Sequence, residues 1–262
     1  MTEAASRPRA LITGASGGIG GAFARQLAKR GHDLVLVARR RERMEELAAE
    51  LADAHGVEVE VVEADLAKDG DVSAVEERVR RGDIDLLVND AGFGTRGEFV
   101  GLPLARELEE LDVNVRALMR LTHAALGPMV ERGRGGVINV ASTGAFQPVP
   151  HMATYAATKA FVLHFSEALH EEVKGKGVTV TCLCPGPVKT EFQEVAGVND
   201  RSVPSMAWKS TDDVVESALK AVSARRAITV PGALNRATAT AVKLMPRFVV
   251  RRIAGSMFKQ GR

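Results

Sequence analysis

Short apolar runs alternate with stretches of helical spacing along nearly the whole chain, and this alternation limits the folds open to it. RALITG, DLVLVAR, VEVEVVEAD, IDLLVNDAG, GGVINVAS, VTVTCLCPG and AITVPG read as strands by their length and flanks. GIGGAFARQLAKRG and RRERMEELAAELADAHG carry helical spacing and stop at glycine, and DVSAVEERVRRG is a further helix. A long helical stretch runs from about Pro103 to Arg132, and another covers 152–174. STDDVVESALKAV is a helix with Ser210 and Asp213 spaced as a capping box. Strands that alternate with helices imply a parallel sheet with helices on both faces. No linker, repeat or low-complexity segment divides the run. The expectation is one doubly wound α/β domain with a mainly parallel, seven-stranded sheet. Aromatics are only 4% of the chain, so Ala, Val, Leu and Ile must build its core.

Several function classes drop out early. No long apolar run precedes the first strand, so no signal peptide is expected. Nowhere do eighteen apolar residues run together, as a membrane-spanning helix would need. Cys182 and Cys184, the two cysteines, share one strand face and read as buried free thiols, which fits a reducing, cytoplasmic setting. The histidines show no metal-ligand spacing, so no metal site is expected, and His151 reads as a loop residue. The net charge of +2 hides an asymmetry: residues 217–262 hold ten of the 35 Lys and Arg and none of the 33 Asp and Glu. Such a tail points to an anionic partner. It lacks interleaved stacking aromatics, so nucleic acid is not expected.

In a doubly wound sheet, ligands bind beyond the carboxyl ends of the strands. The first such loop is TGASGGIG, where Gly14, Gly18 and Gly20 lie between a strand and a helix. Glycine there lets backbone approach a diphosphate, and the helix N-terminus favours its charge. Gly14, Gly17 and Gly20 form a second allowed register. The second loop has Arg39 and Arg40 where a dinucleotide site often has an acid. Arginine can pair with a 2′-phosphate that a carboxylate would repel, which favours NADP(H) with NAD(H) as the alternative. Asp65, followed by Leu66, suits an adenine amino group, and Asn89, Ala91 and Gly92 form a tight turn that would pass close to a cofactor.

Ser142 closes the fifth strand, and Tyr155, the only tyrosine, follows it. Tyr155 and Lys159 are one helical turn apart and share a face. A free phenol has a pKa of about 10. A nearby ammonium favours the phenolate and would make the phenol a usable acid or base near neutrality.

Over residues 9 to about 231 the chain resembles the short-chain dehydrogenase/reductase family. The resemblance rests on TGxxxGxG at Thr13–Gly20, NDAG at Asn89–Gly92, Asn114 in LDVNVRA, Ser142, Tyr155-x-x-x-Lys159 and PGPVKT at Pro185–Thr190. It implies a Rossmann-type fold and hydride transfer between a nicotinamide and a carbonyl or alcohol carbon. By this resemblance Tyr155 is the general acid or base, Ser142 holds the substrate oxygen, and Lys159 lowers the phenol pKa and holds the nicotinamide ribose. Asn114 holds a water that links Lys159 to solvent. Ser16 and Ile19 join the glycines at the cofactor, and Pro185, Gly186, Val188 and Thr190 position the nicotinamide. A homodimer or homotetramer built on the long helices is implied as well. Two residues depart from the pattern: Asp90 stands where the family usually has asparagine, and Gly17 where NADP-dependent members often carry a basic residue.

Residues 187–210 are expected to form a substrate lid, with Phe192, Val195, Met206 and Trp208 either lining an apolar pocket or packing the lid down. Residues 1–231 would form the domain proper, and 232–262 a basic helical extension broken at Pro246. In that extension Val249, Ile253 and Met257 form an apolar stripe among Arg247, Arg251, Arg252 and Lys259. The extension suits a neighbouring subunit, a peripheral membrane contact or an acidic carrier of the substrate. An apolar or lipid-like carbonyl compound is the expected substrate. The competing reading is a cofactor-binding sensor or scaffold with little turnover.

Overall fold

Buried apolar runs place β1 (Arg9–Thr13), β2 (Asp33–Ala38) and β4 (Leu86–Asn89) at the middle of a sheet that is parallel throughout. β3 (Val59–Glu63) lies outside β2, and β5 (Gly135–Val140), β6 (Val178–Leu183) and β7 (Ile228–Thr229) extend the other side. The spatial order is β3-β2-β1-β4-β5-β6-β7. This is the seven-stranded, doubly wound Rossmann-type arrangement, and the order reverses between β1 and β4, where a crevice opens. The computed structural model describes residues 7–190 and 205–257. Phe192, Val195 and Lys259 therefore lie outside the described residues, as does the side chain of Met257.

One face of the sheet is covered by α1 (Gly18–Lys29), α2 (Arg41–His55) and α7 (Thr211–Ser223). Phe23, Leu27, Leu36, Met44 and Val215 share their core. α3 (Asp69–Arg80), α4 (Leu104–Leu111), α5 (Leu118–Arg132) and α6 (Ala153–Val173) follow on the other face, where Leu121, Met129 and Val75 are buried against the strands. The capping box at α7 forms, with Ser210 Oγ accepting from Asp213 N at 3.1 Å.

The single helix expected over 103–132 is interrupted. A π-helical turn, Asp112–Ala117, joins α4 to α5. Such turns insert an extra residue and re-aim side chains, and they recur at functional sites. The tail forms α8 (Ala233–Leu244) and α9 (Arg247–Met257), with Pro246 between them. Asn235 ties α8 to the body by donating to the carbonyls of Ala207 (3.0 Å) and Pro231 (3.1 Å). The inward residues of α9 are Val250 and Ala254, whereas Ile253 of the expected stripe is 45% exposed. The packed face is thus turned by about one residue from the expected one.

Candidate active site

A cavity of about 570 Å³ lies over the carboxyl ends of the strands. Its first end is the turn from β1 into α1. Gly14 (φ 72°) and Gly18 (φ 55°) adopt left-handed conformations that favour glycine. A Cβ on Gly20 would lie 2.4 Å from the Gly14 carbonyl oxygen, so only glycine lets the helix close onto the turn. Gly14, Ser16, Gly18 and Ile19 line the cavity, while Gly20 packs beneath them. The first N–H groups of a helix lack intrahelical partners and attract anions. Arg40 braces the turn, its Nε donating to Ser16 Oγ (3.1 Å) and its Nη2 to Ser16 O (3.2 Å). Arg39 and Arg40 are exposed at the rim, and Asp65 and Leu66 continue the wall. A close-approach backbone turn, a helix N-terminus and a basic rim fit a dinucleotide, and they suit its diphosphate and a ribose phosphate.

The other end is built by β4, β5 and α6. Ala91, Gly92, Ser142, Tyr155 and Lys159 all line the cavity. Lys159 is buried and its Nζ donates to Val140 O at 2.8 Å. That ammonium sits 5.8 Å from the centroid of the Tyr155 ring. Tyr155 and Ser142 are hydrogen-bonded through their side chains. Ser142 Oγ also accepts from Gly144 N at 3.0 Å, which fixes the hydroxyl at the strand end.

Besides Gly20, two expected site residues are not in the cavity wall. Asn89 is buried, and its Nδ2 donates to Thr122 Oγ1 (3.0 Å) and Asn139 Oδ1 (2.9 Å). Its side chain braces β4 against α5 and β5 and does not line the cavity. Asn114, on the π-helical turn, engages the chain just after β4. Its Nδ2 donates to Phe93 O (2.8 Å) and Thr158 Oγ1 (3.1 Å), and its Oδ1 accepts from Phe93 N (3.1 Å). A Cβ on Gly92 would come within 2.9 Å of that Oδ1 and 3.3 Å of Lys159 Nζ. The Asn114 side chain therefore shapes the β4 loop.

The phenol does not behave as the spacing alone suggests. Burial pushes Tyr155 up to about 12. The bond with Ser142 works against this, and the charges of Glu110 and Asp90 add to it. Burial also pushes Lys159 down, with Asp90 holding it up in part. The expected lowering of the phenol is absent because desolvation of a phenolate outweighs an ammonium that is itself buried and tied to a carbonyl.

Nothing in the sequence marks the acids behind the site. Glu107 and Glu110, on α4, are buried. Thr95 Oγ1 lies 2.5 Å from Glu107 Oε1 and 3.0 Å from Glu110 Oε2, and Thr95 N donates to Glu110 Oε2 at 3.0 Å. Glu107 Oε2 also accepts from Thr154 Oγ1, next to Tyr155. The Thr95 hydroxyl has one proton to share between the two carboxylates. Burial pushes Glu110 up to about 7, against the pull of its bonds from Thr95. Asp90, on the cavity floor, is likewise pushed up to about 7 by burial, against the pull of Lys159 and the Gly20 N–H.

Pro185, Gly186, Val188 and Thr190 form the side of the cavity nearest β6. Thr190 Cγ2 would stand 3.5 Å from a Cβ on Gly18, so this loop reaches over the glycine turn. Trp208 lines the cavity with Phe93, Val149 and Met152, giving the end that holds Tyr155 an apolar wall. Met206 is 77% exposed and does not line it. Phe93 and Met152 carry no distinguishing signal in the sequence. Gly94 holds a hint of their packing: a Cβ there would strike the Tyr155 ring at 2.8 Å.

The family model described as "short chain dehydrogenase" matches residues 8–200. A very-long-chain 3-oxoacyl-CoA reductase from Anas platyrhynchos is 33% identical over 221 residues, which cover 81% of this chain and 68% of that one. A short-chain dehydrogenase from Sphingobium yanoikuyae, solved in complex with NADPH, superposes with a TM-score of 0.83 at 37% identity, over 97% of this chain and 98% of that one. The bulky-bulky ketone specific alcohol dehydrogenase from Comamonas testosteroni does so with a TM-score of 0.78 at 32% identity, over 92% and 95%.

Proposed function

The chain belongs to the short-chain dehydrogenase family, oxidoreductases of C=O and CH–OH groups, and from that premise we propose an NADPH-preferring reductase of bulky or long-chain apolar ketones. One observation carries the proposal. Ser142, Tyr155 and Lys159 meet at one end of a cavity whose other end is the glycine turn with Arg39 and Arg40.

A bound reduced nicotinamide supplies the hydride. Arg39 and Arg40 would pair with a 2′-phosphate, and Gly14, Ser16, Gly18 and Ile19 would hold the diphosphate against α1. Asp65 and Leu66 would face the adenine. Ala91, Gly92 and Lys159 would hold the nicotinamide ribose, and Pro185, Gly186, Val188 and Thr190 the nicotinamide. Ser142 would donate a hydrogen bond to the carbonyl oxygen and fix it beside the phenol. Tyr155 would give its proton to that oxygen as negative charge develops there. A phenol held at about 12 is protonated throughout the neutral range, so the acid form is available whenever substrate binds. Lys159 would then stabilise the phenolate until it regains a proton. Asn114 would keep the β4 loop, and with it Gly92, in register with Lys159.

The apolar wall of Phe93, Val149, Met152 and Trp208 supports a large apolar substrate. The substrates named for two relatives, long-chain 3-oxoacyl thioesters and bulky ketones, agree with that wall. Exposed Leu104, Leu108 and Leu111 on α4 and Phe161 on α6 support the expected pairing of subunits through these helices. Exposed Leu244 and Phe248 beside Arg247, Arg251 and Arg252 support an anionic partner surface for the tail. Among the described residues no helix is long and apolar enough to cross a membrane.

NADPH oxidation across aliphatic ketones, aryl ketones, steroids and 3-ketoacyl thioesters tests the reading. Turnover is expected with the larger apolar members. Tyr155→Phe should lower kcat by about 10²- to 10⁴-fold and leave NADPH affinity within about threefold, since the hydroxyl serves the proton step. Tight NADPH binding without turnover on any member would support the sensor reading instead.

A further inference from the structure

Among the described residues, Asp90 is the ionisable group set beneath the glycine turn, and the proton step has no use for it. It follows β4 directly, and Thr13 Oγ1 fixes its backbone by accepting from Asp90 N (3.1 Å) and Ala91 N (3.0 Å). The carboxyl is aimed under the turn. Its Oδ2 lies 3.2 Å from where a Cβ on Gly14 would stand and 2.9 Å from that of Gly20. Its backbone donor is Gly20 N, in the first turn of α1. What remains exposed of Asp90 opens into the cavity. An amide in this place would support the turn at no electrostatic cost. A carboxylate sets a negative charge directly under the surface that would receive a dinucleotide's diphosphate.

We propose that Asp90 couples cofactor binding to proton uptake: its carboxyl becomes protonated when the diphosphate of a nicotinamide dinucleotide seats on the glycine turn. The inference rests on the cofactor reading above and adds a residue to it. Like charges brought together in a partly desolvated site cannot both persist, and the group with an accessible proton equilibrium gives way. Asp90 is suited to give way because burial already pushes it up to about 7. The neighbouring charges have other commitments. Lys159 faces Asp90 from α6 and is tied to Val140 O. Tyr155 shares that helix face and feels the Asp90 charge, which raises it. Glu110 acts on Lys159 and Tyr155 from α4. Arg39 and Arg40 stand at the rim of the same cavity. Protonation of Asp90 would also remove one of the charges that keep the phenol high, so a seated cofactor would bring Tyr155 closer to its working range.

The sign follows from linkage. Binding that takes up a proton weakens as pH rises, by up to roughly tenfold per pH unit between the free and bound pKa values. The test measures Kd for NADPH and for NADH by fluorescence from pH 6 to 9, for wild type, Asp90→Asn and Glu110→Gln. Calorimetry in two buffers of different ionisation enthalpy counts the protons. NADH has no 2′-phosphate, so its profile is free of that group's own ionisation. Wild type should lose NADH affinity by about tenfold between pH 7 and 9 and take up a fraction of a proton at pH 7.5. Asp90→Asn should be flat and bind more tightly above pH 7, and Glu110→Gln should keep the wild-type slope. A flat wild-type NADH profile would overturn the proposal without need of any variant. A slope retained in Asp90→Asn would overturn it too. Failure of every protein to bind either nucleotide at any pH would remove the cofactor reading and the proposal with it.

Discussion

The two ends of the cavity are built on different physics. Around β1 to β3 the site is backbone and exposed charge: a glycine turn that excludes side chains, and Arg39 and Arg40 at the rim. Around β4 to β6 it is buried ionisable chemistry, with Asp90 and Glu110 acting on Tyr155 and Lys159, and Glu107 acting on Glu110. The first end can change affinity with little effect on proton transfer. The second carries charges whose energies depend on one another, so a change there should appear in rate and pH response. Asp90 belongs to both ends, which is why it can link them.

The largest effect that separates the ends is expected from Gly20→Ala. The new methyl would meet the Gly14 carbonyl at 2.4 Å and Asp90 Oδ2 at 2.9 Å, and the first of these is backbone that cannot rotate away. Overpacking of this kind costs about 1–3 kcal/mol, or a Tm drop of roughly 2–10 °C for a chain of this size. NADPH affinity should fall by more than about tenfold if the turn seats the diphosphate as proposed. Calorimetry and fluorescence titration read the two effects. Unchanged affinity in a folded Gly20→Ala protein would mean that the turn is not the diphosphate site, and the division would fail at its first end.

A smaller, more selective effect is expected from Arg40→Ala. A charge-assisted bond to a phosphate is worth about 1.5–3 kcal/mol, so Kd for NADPH should rise by about 10- to 100-fold. NADH should weaken less, and only through the lost brace to Ser16. At saturating cofactor kcat should hold. A fall in kcat under those conditions would show that the rim reaches the chemistry, and the division would fail at that point.

The same contrast decides which features are legible in the amino-acid sequence. The strand order, the glycine turn, Ser142 and Tyr155-x-x-x-Lys159 depend on residue types at short spacings, and spacing survives in sequence. The tail's helix break at Pro246 is legible for the same reason. Burial is a tertiary property and leaves no such trace. ARELEEL on α4 carries three glutamates; Glu109 turns toward Arg106, while Glu107 and Glu110 turn inward. Nothing in the spacing of charges marks which face meets Thr95. DVNVRA reads as ordinary helix, and the extra residue of the π turn appears only when Asn114 must reach Phe93. The phenol shows the limit most clearly. A lysine one turn away is legible, but the desolvation that overrides it is not.

Substitution of Glu110 tests whether the buried acids really form one electrostatic unit with the phenol. Glu110 is raised from 4.5 to about 7 in the folded protein. The folded state then holds a proton that the unfolded state releases earlier, so this group contributes a destabilisation that grows as pH rises from about 4.5 to 7 and is constant above. Glu110→Gln keeps an acceptor for Thr95 N and removes the ionisation. Its Tm should equal that of wild type near pH 4.5 and exceed it by several degrees, roughly 5–10 °C, above pH 7. The variant also removes one of the charges that hold Tyr155 up, so in the oxidative direction, where the phenolate is needed, its rate profile should shift to lower pH. A stabilised Glu110→Gln protein with an unmoved oxidative profile would confine Glu110 to the Thr95 clamp. The phenol would then be set by its burial, the Ser142 hydrogen bond and the Asp90 charge alone.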